Sequence, residues 1–421
     1  MLTFSRSERL LLSLAASFIL AAFAALAIAP AARLAQWDSA SFTSGYLFSI
    51  IIWIVTTALG HRLINRRLPH RDPLIFPIVS FLSGWGLALV WRLAPAFGLR
   101  QTLWLAAAMI GLVVIVNAPG DLRWLRRYRY LWLVGALGLT ALTLLVGVNP
   151  SGGGPALWLG FGSVFFQPSE ALKLFFIIYL AAYLAERAPQ MHSPPGSLVF
   201  LAPLLFMWGL SLILLISQRD LGAGSLIFAA FVVMLYLTTG QKRYLLVGGV
   251  LLIIGAALSY FLFDVVRLRI EAWINPYADP AGRSFQIVQS LIAVANGGLV
   301  GRGFGAGAPT VIPVVHSDFV FAAIVEEWGL LGGMGTLILI LILISRGLRL
   351  AQLANNAFRR LLAGGLTALL GLQTLLIVGG VIKVLPLTGV TLPFLSYGGS
   401  SLLINYIIIG LLLKLSDDSH L

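Results

Sequence analysis

From residue 9 to residue 416 the chain repeats one pattern: a long apolar run, then a short polar interruption. Runs of eighteen or more apolar residues recur along the whole length. At 1.5 Å per residue each is long enough to cross about 30 Å of hydrocarbon as a helix. A membrane barrel would instead show short segments alternating at every second residue. The pattern therefore predicts an all-α polytopic membrane protein. Twelve spans are expected, at 9–29, 44–64, 74–92, 102–118, 128–147, 169–187, 197–217, 221–240, 244–264, 319–345, 360–384 and 395–416. The first follows Arg6 and Arg9 and ends in `ALAIAPA`, which also suits a signal peptide. Its apolar run is about 20 residues against the 7–15 of a signal core, so an uncleaved helix is expected.

Composition agrees and adds orientation. The 421 residues are 59% hydrophobic and 10% charged, with mean hydropathy +0.96. With the N-terminus inside, Arg6, Arg9, Arg62, Arg66, Arg67, Arg71, Arg123, Arg126, Arg127, Arg129, Arg187, Lys242, Arg243, Arg346, Arg349, Arg359, Arg360 and Lys414 all fall on cytoplasmic segments. That asymmetry satisfies the positive-inside rule and places both termini in the cytoplasm. The net charge of +13 thus reports topology and calls for no nucleic acid. There are no cysteines, which excludes disulfides and thiolate metal sites, and the five histidines show no ligand spacing.

Every cytoplasmic loop is short, so chemistry belongs to the outer face. The longest loop, about 265–318, lies there and carries Arg267, Arg269, Arg283 and Arg302. Within it `RSFQIVQSLIAVANGGL` has helical apolar spacing with Gln286 and Gln289 to one side, and is expected to form an amphipathic or re-entrant helix at the interface. The `GRGFGAG` that follows lacks the strand and helix of a dinucleotide site. It is either a turn that lets backbone approach a ligand or a flexible segment.

Ionisable groups at membrane depth are costly and mark function. Four clusters stand out. `QPSEALKL` holds Gln167, Glu170 and Lys173, the last two spaced to pair on one helix face. `SQRDLGAG` holds Arg219 and Asp220. `HSDFVFAAIVEE` holds His316, Asp318, Glu326 and Glu327. `GGVIKVLPLTGVTLPFLSYGGSS` holds Lys383, Ser396, Tyr397, Ser400 and Ser401. Glu326 and Glu327 lie two turns beyond Asp318 and read as buried support. The `GLLGGMG` after them, with Gly329 and Gly333, reads as a small-residue packing surface. Asp318 falls at the outer surface, at a helix start and beside the basic loop. It is either a cap for free backbone N–H groups or a carboxylate that takes a proton from a substrate hydroxyl, with arginines nearby to hold an anion such as a diphosphate.

At these motifs the sequence resembles the SEDS family (shape, elongation, division and sporulation), whose members include RodA, FtsW and SpoVE. `FQPSEALK`, `QRDLG`, `NPYADPAGRSFQIVQSLIAVANGGLVGRGFGAG`, `HSDFVFAAIVEEWGLLG` and `LPFLSYGGSS` occur in the family's order, over about residues 75–416. The resemblance implies a ten-helix core at 74–421 preceded by two extra helices at 1–73. It implies a peptidoglycan glycosyltransferase of the bacterial cytoplasmic membrane that polymerises lipid II, a disaccharide-pentapeptide on undecaprenyl diphosphate, on the outer face. The implied partner is a class B penicillin-binding protein. The family's essential carboxylate falls on Asp318.

The residues suit that role. Asp318 would take the proton of the acceptor 4-hydroxyl in a single inverting displacement. Lys173, Arg219, Arg267, Arg269, Lys383 or a divalent cation (Mg or Mn) would offset the diphosphate charge. Asp220, Gln286, Gln289, Ser396 and Ser400 are the other candidate substrate contacts. Trp158, Gln167, Glu170, His316, Glu326 and Glu327 are expected to support the cavity. No cofactor is otherwise implied. Two departures are visible. Leu157 precedes Trp158 where many members have arginine, leaving Arg219 or Lys383 to compensate, and Val314 follows Pro313 where many have glutamate. A lipid flippase and a non-catalytic scaffold for the penicillin-binding protein are the competing readings. A short C-terminus without a charged tail inclines the choice among members to an elongation type.

Overall fold

The computed structural model describes residues 2–34, 43–119, 122–150, 152, 155–162, 164–191 and 197–418. The chain opens with the hairpin α1 (Leu2–Leu34) and α2 (Ser44–Arg67). There follow α3 (Ile75–Leu93), α4 (Pro95–Asn117), the short α5 (Arg123–Arg127) and α6 (Arg129–Val146). A two-stranded antiparallel hairpin, β1 (Leu159–Phe161) and β2 (Val164–Phe166), pairs Leu159 with Phe166 and leads into α7 (Pro168–Met191). Then come α8 (Ser197–Ser217), α9 (Leu221–Thr239), α10 (Arg243–Leu262), α11 (Asp264–Ile274), α12 (Phe285–Gly297), α13 (Val320–Leu353), α14 (Ala357–Val381) and α15 (Gly399–Asp418).

Among the described residues eleven of these helices have the length and composition to cross a membrane, and each coincides with an expected span. The twelfth expected span is α8, whose apolar part is Ala202–Ser217. The α4 helix begins at Pro95, seven residues before the expected start. Proline suits the first helical position, where its missing N–H is not needed. Helices α3, α7, α14 and α15 are buried along most of their length and form the centre of the bundle. By contrast α10 is apolar yet almost wholly exposed, as a helix facing hydrocarbon should be.

The long loop differs from expectation in one respect: α11 precedes the anticipated amphipathic helix, which is α12. The α13 helix differs more. It is broken at Gly329, whose φ of 70° and ψ of −174° are not helical. The backbone groups freed there bond to residues 298–303. Leu330 N donates to Gly298 O (2.9 Å), Leu331 N to Leu299 O (3.1 Å), Arg302 N to Glu326 O (3.0 Å) and Gly303 N to Glu327 O (3.0 Å). A Cβ at Gly329 would lie 2.3 Å from Leu299 O, so only glycine fits. This corrects the reading of Gly329 and Gly333 as a surface for a neighbouring helix. Gly333 meets Val325 and Phe321 of α13 itself, across the break. The `GRGFGAG` segment is not slack, since through Arg302 and Gly303 it seals the break in α13.

One end of the bundle gathers the basic segments. Arg71 is bonded there to Glu8 (2.7 Å), Arg346 to Asp72 (3.6 Å), Arg129 to Glu186 (2.7 Å), and the Lys414 ammonium to Ala118 O. The four sequence clusters, apart from their deeper members, meet at the other end.

Candidate active site

The turn before α13 fixes Asp318. Val314 adopts φ 57°, and its carbonyl accepts from both Ser317 N (3.1 Å) and Asp318 N (3.3 Å). The residue capping α13 is Phe319, and no side chain satisfies the helix start. Asp318 is therefore not a cap. Its Oδ1 accepts from the Ser317 hydroxyl at 2.8 Å, while Oδ2 faces Gly389. Desolvation pushes the Asp318 carboxyl above the ordinary carboxylate range. The Ser317 hydrogen bond and the charge of Arg269 act in the opposite sense.

Arg269 reaches the same point from α11. Its Nη1 donates to Thr388 O at 3.2 Å. A Cβ at Gly389 would lie 3.6 Å from Arg269 Nη2 and 3.7 Å from Asp318 Oδ2. Burial pulls the Arg269 pKa down, while Asp318 and Asp220 hold it up, and a guanidinium keeps its charge throughout. Asp220 is the third charge of the group. It caps α9, with Oδ1 accepting from Ala223 N (3.0 Å). Its Oδ2 accepts from Ser169 Oγ (2.9 Å) and Gln167 Nε2 (3.2 Å).

The serines of the last motif hold this arrangement together. Ser396 Oγ donates to Ser317 O (2.6 Å) and accepts from Leu392 N (3.0 Å). Tyr397 N donates to His316 O (2.8 Å), and Ser400 Oγ accepts from Gln167 N (2.8 Å). Ser396 and Ser400 thus brace the turns bearing Asp318 and Gln167, which is a scaffold role beyond the substrate contact expected. Beside them His316, Phe97 and Tyr397 form an aromatic wall. Phe97 lies 5.1 Å from His316 and 4.7 Å from Tyr397, with the Arg100 guanidinium 6.0 Å above Phe97. Burial lowers the His316 pKa, so its ring is neutral at physiological pH, and burial raises that of Tyr397.

Other candidates stand apart. Lys173 is buried and paired with Glu170 at 2.8 Å, as their spacing suggested, so the pair is a strut within α7. Arg267 leans outward to Asp264 (3.9 Å) and over the Tyr260 ring (5.6 Å). Lys383 contacts the end of α11 through Ile274 O (3.4 Å). Gln286 and Gln289 are half-buried on α12, and Arg219 is exposed beside Asp220 with φ 60°. Trp158 is half-buried, bridged to Val148 ahead of β1. Glu326 and Glu327 are buried. Glu326 accepts from Ala308 N (3.0 Å), and Glu327 pairs with Arg92 Nε (2.9 Å). Sequence reasoning missed Ser169, Ser317, Thr388 and Gly389, although all four lie inside the quoted motifs. It also missed Phe97 and Arg100, for which `PAFGLR` gives no signal.

The site thus offers a proton acceptor poised above its usual range, a half-buried guanidinium beside it and a second carboxylate behind. That combination suits removal of a proton from a hydroxyl next to a bound anion.

A family model described as "Cell cycle protein", covering FtsW, RodA and SpoVE, matches residues 86–421. The chain belongs to this family. Among its relatives, the peptidoglycan glycosyltransferase RodA of Mycobacterium tuberculosis strain H37Rv is 36% identical over 406 residues, covering 91% of this chain and 84% of RodA. Of solved structures, one chain of a peptidoglycan synthase complex, described as coordinating polymerization and crosslinking, superposes with TM-score 0.70. It is 30% identical and covers 83% of this chain and 98% of its own. The rod shape determining protein RodA of Thermus thermophilus gives TM-score 0.61 at 26% identity, covering 83% and 97%. Residues 1–85 of this family member, with α1 and α2, precede the matched region.

Proposed function

We propose that this multi-pass bacterial membrane protein is a peptidoglycan glycosyltransferase that polymerises lipid II, with Asp318 as the general base. The observation that carries the reading is the placement of Asp318. It caps no helix, and its Oδ2 faces a half-buried guanidinium across a glycine. The acceptor's 4-hydroxyl gives its proton to Asp318 as its oxygen attacks the donor's anomeric carbon. The bond from that carbon to the diphosphate breaks, and undecaprenyl diphosphate leaves with inversion. Arg269 offsets the charge that develops on the diphosphate. Asp220, capping α9 and held by Gln167 and Ser169, adds negative charge that favours the Arg269 cation.

Several finer points belong to the same proposal. The basic end of the bundle lies in the cytoplasm and the Asp318 end outside, because charge asymmetry sets orientation. Among the described residues no group of three or more His, Cys, Asp or Glu is placed to cage a metal. A divalent cation, Mg or Mn, would therefore arrive with the diphosphate. The cross-linking partner is a class B penicillin-binding protein, in keeping with the synthase complex to which the chain is similar. An elongation role is favoured by the RodA relatives.

The test is glycan polymerisation from lipid II by the purified protein and its partner, with the partner's transpeptidase blocked by a β-lactam. Wild type should make long strands. Asp318→Asn, which keeps the shape but cannot take the proton, should lose about 10²-fold or more in rate. Normal strands from the folded variant would move the base elsewhere.

A further inference from the structure

The α1–α2 hairpin lies before the region matched by the family model, and at its basic end it carries a feature that the proposed polymerisation does not use. At the basic end of the bundle, α1 and α2 enclose an open cavity of about 700 Å³. It is lined by Arg9 from α1 and by Ala58, Leu59, His61, Arg62, Asn65 and Arg66 from α2. Among the described residues no carboxylate lines it. The neighbouring acid, Glu8, turns away into a buried bidentate bond with Arg71 (2.8 and 2.7 Å). His61 closes the wall between them, with Nδ1 3.5 Å from Glu8 and Nε2 2.9 Å from Asn65.

Arg62 and Arg66 of α2 thus line one space together with Arg9 of α1, and the like charges of Arg62 and Arg66 favour an anion beside them. Arg62 and Arg66 are one turn apart and share a face. That face has a continuation. Leu47, Ile51, Val55 and Leu59 recur every four residues along α2 and are all exposed. They run as an apolar stripe from the first turn of the helix into the cavity, where the cations take over. A soluble anion would have no use for the stripe. A diacyl lipid would lay its chains on it and its phosphate against the arginines.

We propose that this cavity binds the head group of an anionic glycerophospholipid, with Arg62 and Arg66 as the principal phosphate ligands and Arg9 closing the site. Arginine suits the role because its planar fork meets phosphate oxygens in pairs.

The test uses the full-length protein in mild detergent and counts bound lipid by native mass spectrometry. Cardiolipin, phosphatidylglycerol and phosphatidylcholine are titrated in turn. Wild type should hold the two anionic lipids and not phosphatidylcholine. Arg62→Gln with Arg66→Gln should weaken cardiolipin about thirtyfold, and Arg66→Gln alone about fivefold, should the double variant not fold. Arg123→Gln with Arg127→Gln removes the same charge at the same end, outside the cavity, and should leave binding unchanged. Equal weakening in both double variants would reduce the effect to general surface charge and overturn the site. So would unchanged binding in the cavity variants. Displacement of the lipid by millimolar inorganic phosphate would assign the cavity to a soluble anion and overturn the lipid. Glycan polymerisation, measured on the same preparations, reports separately on Asp318.

Discussion

Arg269 and Asp318 approach each other over a residue with no side chain. Gly389 sits between them with φ 76°, and a Cβ placed on it would be 3.6 Å from the guanidinium and 3.7 Å from the carboxylate. Gly389→Ala therefore has two separable effects. The left-handed backbone costs about 1–2 kcal/mol of stability. The methyl group fills the space where, on the proposed mechanism, a hydroxyl and a diphosphate meet. The expected outcome is a monodisperse protein with a slightly lowered unfolding temperature and a drop in polymerisation of about tenfold or more. Wild-type rates would show that substrate does not enter between the two charges.

The same pair sets the pH dependence. As the proposed base Asp318 works only when ionised, and burial holds its pKa above the ordinary carboxylate range while Arg269 pulls it back. Polymerisation should fall as pH drops through that raised value. Removing the positive charge in Arg269→Gln raises the pKa further. The acid limb of the pH–rate profile should then move to higher pH, on top of a loss in the maximal rate. A profile lowered in height but unmoved along the pH axis would separate Arg269 from the base.

Asp318 should also cost stability at working pH. A carboxyl whose folded pKa is raised favours the fold fully below its unfolded value, and that contribution is lost as pH rises through the folded value. At pH 7.5 Asp318→Asn should consequently unfold at a higher temperature than wild type. The gap should close as pH is lowered toward the ordinary carboxylate range. Thermal unfolding in detergent at several pH values checks this, and a variant less stable at pH 7.5 would mean that Asp318 is structural.

These relationships were only partly legible in the sequence. The spans were readable because an apolar run of helical length in a membrane protein has few other meanings. Asp318 was readable because a carboxylate stands out against such a background. Choosing between Arg267 and Arg269 was not, because it depends on α11. Residues two apart on a helix point about 200° apart, so one arginine turns to the site and the other to Asp264. The break at Gly329 was hidden for a similar reason. In `WGLLGGMG` a glycine that ends hydrogen bonding and one that eases packing look alike until the segment 298–303 is seen beside it. The pairing of Lys173 with Glu170 was legible because a spacing of three puts both on one face of α7.

The buried pair of Arg92 and Glu327 makes the last prediction, which concerns the break in α13. Glu327 lies two residues before Gly329, with a side chain sealed from solvent, and Arg92 Nε bonds it at 2.9 Å while Nη2 donates to Gly307 O at 2.9 Å. One guanidinium thus joins α3 to both sides of the sealed break. Arg92→Ala leaves the Glu327 charge buried without its partner and releases Gly307, so it should cost about 3–5 kcal/mol. Arg92→Met with Glu327→Leu removes both charges and keeps volume, and should recover most of that loss in thermal unfolding. If the pair served only stability, polymerisation would recover with the double variant. If the segment 298–307 must be held in register for the Asp318 turn to form, activity should stay low although stability returns. The loss of the Gly307 bond in both variants favours the second outcome.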